Sequence, residues 1–387
     1  MPRWPLAAGA ALALGCAGAT PVPVAVPQPT PGGAMAVTPA RDYLVLIASE
    51  ATDQITLARF GAGAPTAERV QVTGFNPTEP DGPHGLAVAP GGATFFVSTA
   101  HGTPNGSLWK YNTATGAQLG RVELGSFPAS MQVTPDGHYV YVVNFNLHGD
   151  MVPSSVSIVA ADQMLEVARV ETCTMPHGSR VNAAGTRHYS ACMMDEALVE
   201  IDATKFTVAR HFILTKGGEH GMAGTPAAHA MGAMGAPAAG KCSPTWAQPS
   251  PDGRRVFVAC NASSEIVEVD VATWALVRRI PAGTGVYNLA FTHDGTKLIA
   301  TNKRAQSVSV FDVASGRELA RIPTIRRFPH GAVASDDDRY AFISVEGYGS
   351  EPGTLEMIDL QRLERVASLD VGQMAGGLDF WRSEPRR

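Results

Sequence analysis

The chain has 387 residues, of which 45% are hydrophobic, enough to bury a large core, while only 17% are charged. Its 40 glycines and 28 prolines point to many turns and argue against an architecture of long helices. A formal net charge of -5, with scattered lysines and arginines, leaves no broad basic surface, so neither nucleic acid nor an anionic membrane face is an expected partner.

In chain order, MPRWPLAAGAALALGCAGAT opens with one basic residue, Arg3, a short apolar stretch and small residues around Cys16, which is how an export signal is built. The stretch is too short to read as a membrane span. ALGC at 13–16 resembles a lipoprotein signal, which implies that Cys16 becomes the lipidated first residue and that membrane contact is through a lipid anchor alone. Cleavage at the small residues Ala17, Gly18 and Ala19 is the other reading. Under both, the protein is exported to the periplasm or outer envelope, with residues 1–19 as signal and the Pro/Ala-rich 20–40 as tether.

From residue 41 to 382 a unit repeats. A turn marker leads into a short apolar strand in PGGATFFVST, PDGHYVYVVN, AAGTRHYSAC, PDGRRVFVAC, HDGTKLIATN and DDDRYAFISV. Second and third alternating strands follow each, as in SVSVFDVA and ELARIP. Spacing of this order predicts an all-β, seven-bladed propeller with four antiparallel strands per blade, lettered A to D from the axis outward. The first unit, YLVLIASE onward, lacks an inner strand, whereas MAGGLDFW near the end is an orphan one; pairing them closes the ring. Residues 383–387 are left as a polar tail. The strands YVVN (141–144) and IATN (299–302), each after an Asp-Gly turn, resemble the YVTN-type propeller repeat, including the exported YncE-like proteins. That resemblance implies the fold over nearly the whole mature chain and says little about function.

Blade topology sorts loops between two faces. His84 in GPHGLAV, His177 in MPHGSRV and His330 in FPHGAVA stand at the start of strand A in blades 2, 4 and 7, so all three are expected at one mouth of the channel. His101, His148, Met151 and Met175 sort to the same face. So does EHGMAGTPAAHAMGAMG, the connection from blade 4 to blade 5 within a His/Met-rich insert at 214–241. Its His220, Met222, His229, Met231 and Met234 repeat a His-x-Met spacing that resembles motifs of periplasmic copper-handling proteins, and thioether with imidazole is a soft set suited to Cu(I). The plainer alternatives are a solvated low-complexity insert and histidines that only hydrogen-bond a neighbouring blade.

Cys173 and Cys242 each precede strand A of a blade whose strand B ends in Cys192 and Cys260, respectively. Disulfides 173–192 and 242–260 are therefore expected, with thiolate copper or zinc ligation as the rival. No nucleophile elbow, phosphate-binding loop or zinc-protease helix is visible, and Asn144 and Asn302 read as repeat-defining contacts. The sequence thus points to a non-catalytic exported binding protein for a metal ion, copper above all, or a small ligand. A metal-assisted lactonase or lyase, a redox enzyme and a scaffold for an envelope protein are the alternatives.

Overall fold

Why this chain makes short strands is visible in its turns. In the three turns 135–137, 251–253 and 293–295 the glycine takes the left-handed φ that Gly137, Gly253 and Gly295 show (77°, 70° and 69°). The aspartate before it accepts a hydroxyl hydrogen bond, Thr134 to Asp136 at 2.5 Å and Ser250 to Asp252 at 2.6 Å. A computed structural model of the protein describes residues 37–72, 80–101, 105–226 and 240–386. The expected signal with Cys16, and His229, Met231 and Met234 of the insert, lie outside the described residues.

Seven antiparallel sheets follow one another around an axis, as the repeat predicts. The inner strands are Pro83–Val88, Pro128–Val133, Pro176–Val181, Pro244–Pro249, Val286–Phe291 and Pro329–Ala334 in blades 2 to 7, and Ala375–Pro385 in blade 1. Strand B of each blade is buried on both faces, because its side chains alternate between two neighbouring blades. Tyr189 and Leu198 of blade 4, for example, share a cluster with Val256 and Val258 of blade 5.

Ala375–Pro385 pairs antiparallel with Arg41–Ser49, closing the ring with strands from the two ends of the described fold. The pairing runs to Pro385 opposite Arg41, so residues 383–385 belong to the strand instead of a polar tail. Cys173–Cys192 and Cys242–Cys260 are disulfide-bonded as the blade alignment requires, which removes thiolate metal ligation by these four residues. Two such bonds fit an oxidising compartment. Among the described residues no helix is long and apolar enough to cross a membrane.

Blade 4 carries one strand more than expected. His220–Ala223 pairs with Thr207–Ile213 on the outermost edge of that blade, with His220 opposite Ile213 and Met222 opposite His211. This corrects the placement of the insert's first half over the channel. It runs down the rim of the propeller, held there by an ion pair of Glu219 with Arg279 of blade 5 at 2.7 Å.

Candidate functional site

Each inner strand begins in the same way. Its first residue pairs with the last residue of strand B, and in blades 2 to 7 a bulge then shifts the register before the fourth, as between Pro83 and Leu86 or Pro329 and Ala332. The freed amide of the third residue finds a hydroxyl on strand B in several blades: Gly85 N–H donates to Ser98 Oγ and Gly331 N–H to Ser344 Oγ, both at 2.8 Å. Hydroxyls also hold the next blade. Ser130 Oγ donates to His177 O at 2.5 Å, and Thr301 Oγ1 to His330 O at 2.9 Å.

The Pro-His-Gly triplet is explained residue by residue. Proline suits the first position of a strand, where it withholds no ladder bond. Glycine is demanded by close approach, since a Cβ on Gly85 would lie 2.0 Å from Ala129 O and one on Gly178 2.3 Å from Thr245 O. Histidine is not demanded by the fold, because Ala129, Thr245, Tyr287 and Gly376 occupy the same register in the other four blades. The residue before each inner strand has positive φ in all seven blades, including Phe127 (50°), Met175 (53°), Phe328 (65°) and Met374 (54°). Non-glycine residues held there are strained, and such strain collects at functional rims.

At this mouth Glu50 grips two imidazoles, accepting from His84 Nδ1 at 2.5 Å and pairing with His101 Nε2 at 2.6 Å. Phe127 stands between His84 and His101, 5.3 Å from each ring, and 5.4 Å from His148. His84 and His330 face each other at 5.7 Å, perpendicular, across the gap that Gly376 leaves in blade 1. Tyr287 wedges between the other imidazoles, 4.9 Å from His330 and 5.3 Å from His177. Lys303 Nζ lies 4.4 Å over the Tyr287 ring and pairs with Glu346 at 2.6 Å.

Burial and charge divide the protonation states. Burial pushes the Glu50 carboxyl up, but His84 and His101 outweigh it and hold it well below the usual carboxylate range. The same bond to Glu50 raises His101. His177 is pushed down to about 3 by burial, and burial with the Lys303 and His84 charges drives His330 well below an ordinary imidazole. Burial lowers Lys303, yet Tyr287 and Glu346 leave it raised. Near neutral pH the mouth therefore offers two neutral imidazoles, His177 and His330, opposite the Glu50 carboxylate and the His101 it pairs with. His330 Nδ1 is buried without a hydrogen-bond partner.

No family model matches the chain, and no curated protein does. Many solved structures are similar to it. One is a periplasmic gluconolactonase of Pseudomonas aeruginosa, 19% identical, covering 88% of this chain and 99% of that one with a TM-score of 0.66. Another is the hydrazine synthase of Kuenenia stuttgartiensis, 19% identical, covering 79% and 91% with a TM-score of 0.59. At that identity they share a fold, and nothing about the site follows from them.

The three Pro-His-Gly histidines do line one axial cavity. His101 joins them through Glu50, His148 stacks on His101 at 5.8 Å, and Met175 packs beneath with Phe127 and Phe145. Met151 is exposed on the loop outside. His220 and Met222 are not brought to the mouth: His220 Nδ1 donates to Gly218 O at 2.7 Å on the outer edge. Among the described residues no group of three or more His, Cys, Asp or Glu side chains is placed to hold a metal. Asn144 is a repeat contact, accepting from Gly125 N–H at 3.0 Å and donating to Ser157 Oγ at 2.8 Å. Sequence reasoning passed over Glu50, Tyr287 and Lys303. Aligning VYNLAF with PHGLAV would have placed Tyr287 in the histidine register, and Glu50, Lys303 and Glu346 each directly follow a strand B.

Proposed function

We propose that the protein is an exported binding protein for a small, oxygen-rich molecule, held at the mouth by His84, His101, His177, Tyr287, Lys303, His330 and Glu50. The observation that carries this reading is His330 Nδ1, buried without a partner beside the Gly376 gap and facing His84. Leaving such a nitrogen unpaired costs about 1–3 kcal/mol, which a ligand hydroxyl would offset. An organic ligand fits better than a soft metal because three of the four imidazoles already spend nitrogens on protein partners. His177 uses both, one with Thr245 O and one with the Tyr287 hydroxyl, and His84 gives Nδ1 to Glu50. Copper capture would rest on the run 219–235, whose described part lies at the rim.

A second reading, lactone hydrolysis, is favoured by one contact. Glu50 orients His84 as a carboxylate orients a general base, and a water at the Gly376 gap would be the nucleophile. The Pseudomonas protein of similar fold is named a gluconolactonase. Calorimetry with polyols, sugar acids, lactones and Cu(I) on the full-length protein tests both. Binding of an oxygen-rich ligand that His330→Ala weakens at least tenfold is expected. Copper binding alone would overturn the first reading, and absence of lactone turnover the second. A diacylglyceryl mass on Cys16 in envelope-purified protein would support the lipoprotein reading.

A further inference from the structure

The axial cavity holds a cation that the mouth does not use. Arg180 lies on the inner strand of blade 4, three residues beyond His177, so roughly 10 Å deeper along the channel. The bulge between Pro176 and Ser179 lets both residues line the same cavity, together with His84 and His330. Its guanidinium lies 4.4 Å over the Trp246 ring and donates from one nitrogen to Ser179 O at 2.9 Å and Met131 O at 3.4 Å.

Among the described residues Arg180 has no ion-pair partner. The opposite charge that acts on it, Asp379 at the same level of blade 1, gives its oxygens to the backbone N–H groups of Val88 and Phe380, both at 2.8 Å, and reaches Arg180 only through space. Burial pushes the guanidinium down to about 10 and raises the Asp379 carboxyl. Arg180 is half-buried, and among the described residues its Nε and Nη2 donate to no protein acceptor. The fold does not require it, because Ala87, Gln132, Gln248, Ala290 and Val333 fill the same register in five other blades. A guanidinium with free N–H groups matches a carboxylate in two-pronged geometry. The cavity between the mouth and Arg180 is narrow, and Arg180 also faces a wider channel space lined by Gln132, Gln248 and Asp379.

We infer that Arg180 is an anion-binding residue and that the ligand is a small hydroxylated carboxylic acid, its carboxylate on Arg180 and its hydroxyls at the histidine mouth. This rests on the small-ligand reading of the mouth and names the chemical class. The carboxylate supplies the charge Arg180 lacks, and the hydroxyl end meets His330 Nδ1.

The test is calorimetry on the full-length protein with glycerate and gluconate against their primary amides, in wild type, Arg180→Met, Arg180→Lys and Glu50→Gln. The acids are expected to bind at least tenfold more tightly than the amides. That preference should vanish in Arg180→Met and persist in part in Arg180→Lys. Should Arg180→Met fail to fold, the acid-to-amide ratio in wild type and Arg180→Lys carries the decision. Equal binding of acids and amides, with loss of both in Glu50→Gln, overturns the role of Arg180 and leaves the mouth reading standing. No binding of acid or amide to the wild type overturns both.

Discussion

The Tyr287 hydroxyl donates to His177 Nε2 at 2.9 Å, and the opposite nitrogen of that ring donates to Thr245 O at 2.8 Å. One imidazole thereby fixes residues of blades 4, 5 and 6 in a single chain of bonds. Removing the hydroxyl leaves a buried nitrogen without its donor. Tyr287→Phe should lose about 1–2 kcal/mol in denaturant unfolding. It should also weaken ligand binding, because the hydroxyl that holds the His177 ring at the mouth is lost. Unchanged stability would show that the bond is not formed in solution.

The Glu50 pair predicts a pH window. Glu50 has its carboxyl held low, so its contribution is present above the unfolded value of about 4.3 and lost as pH falls below it. His101 is raised, so its contribution is complete below about 6.5 and lost as pH rises through the folded value. The two overlap between about pH 4.5 and 6.5. The stability gap between wild type and Glu50→Gln should be greatest there, on the order of 2 kcal/mol, and shrink by pH 8.5. Thermal melts across pH measure it, and a flat difference would remove the pair from the account.

His188 makes the opposite case. It is buried in blade 4 against Tyr141, ring centroids 4.9 Å apart, with both nitrogens unpartnered. Burial pushes it down to about 3, so its neutral form favours folding above about 6.5 and that advantage is lost as pH falls toward the folded value. His188→Phe keeps the stacked ring and removes both orphan atoms. It should be neutral or more stable by about 1 kcal/mol and should unfold at lower pH in an acid titration. A loss above that size would reveal a polar partner for the ring.

Each disulfide closes a short loop, with sequence separations of 19 and 18 residues. Loops of that length correspond to about 3 kcal/mol of unfolded-state restriction. Paired alanine replacements at Cys173/Cys192 and at Cys242/Cys260 should each lower stability by about that amount, additively. Guanidinium unfolding with and without a reducing agent checks it, since the variants should respond less to reduction than wild type.

The blades could be read from sequence because Asp-Gly turns and alternating strands repeat the same local physics seven times. The disulfides followed from that register, as did the meeting of His84, His177 and His330. Glu50 was hidden because blade 1 takes its inner strand from residues 375–385, so the loop after Ser49 had no neighbour to be aligned with. Tyr287 was hidden because VYNLAF lacks the proline and glycine that mark the three histidine strands. The described start of the run 219–235 was hidden for another reason. Composition gives Ala, Gly and Met no direction, and it was backbone pairing of His220–Ala223 to Thr207–Ile213 that placed that start at the rim.

Ring closure also has a consequence for synthesis. Ala375–Pro385 supplies both the Gly376 gap between His330 and His84 and Asp379 at the level of Arg180. A nascent chain that has already formed six blades still has neither the gap nor the second charge. Its binding site appears in the same step that seals the barrel wall, more than three hundred residues after the strand it docks on. Folding and competence to bind are then a single late event, and a propeller that lacks its last strand is unable to capture ligand.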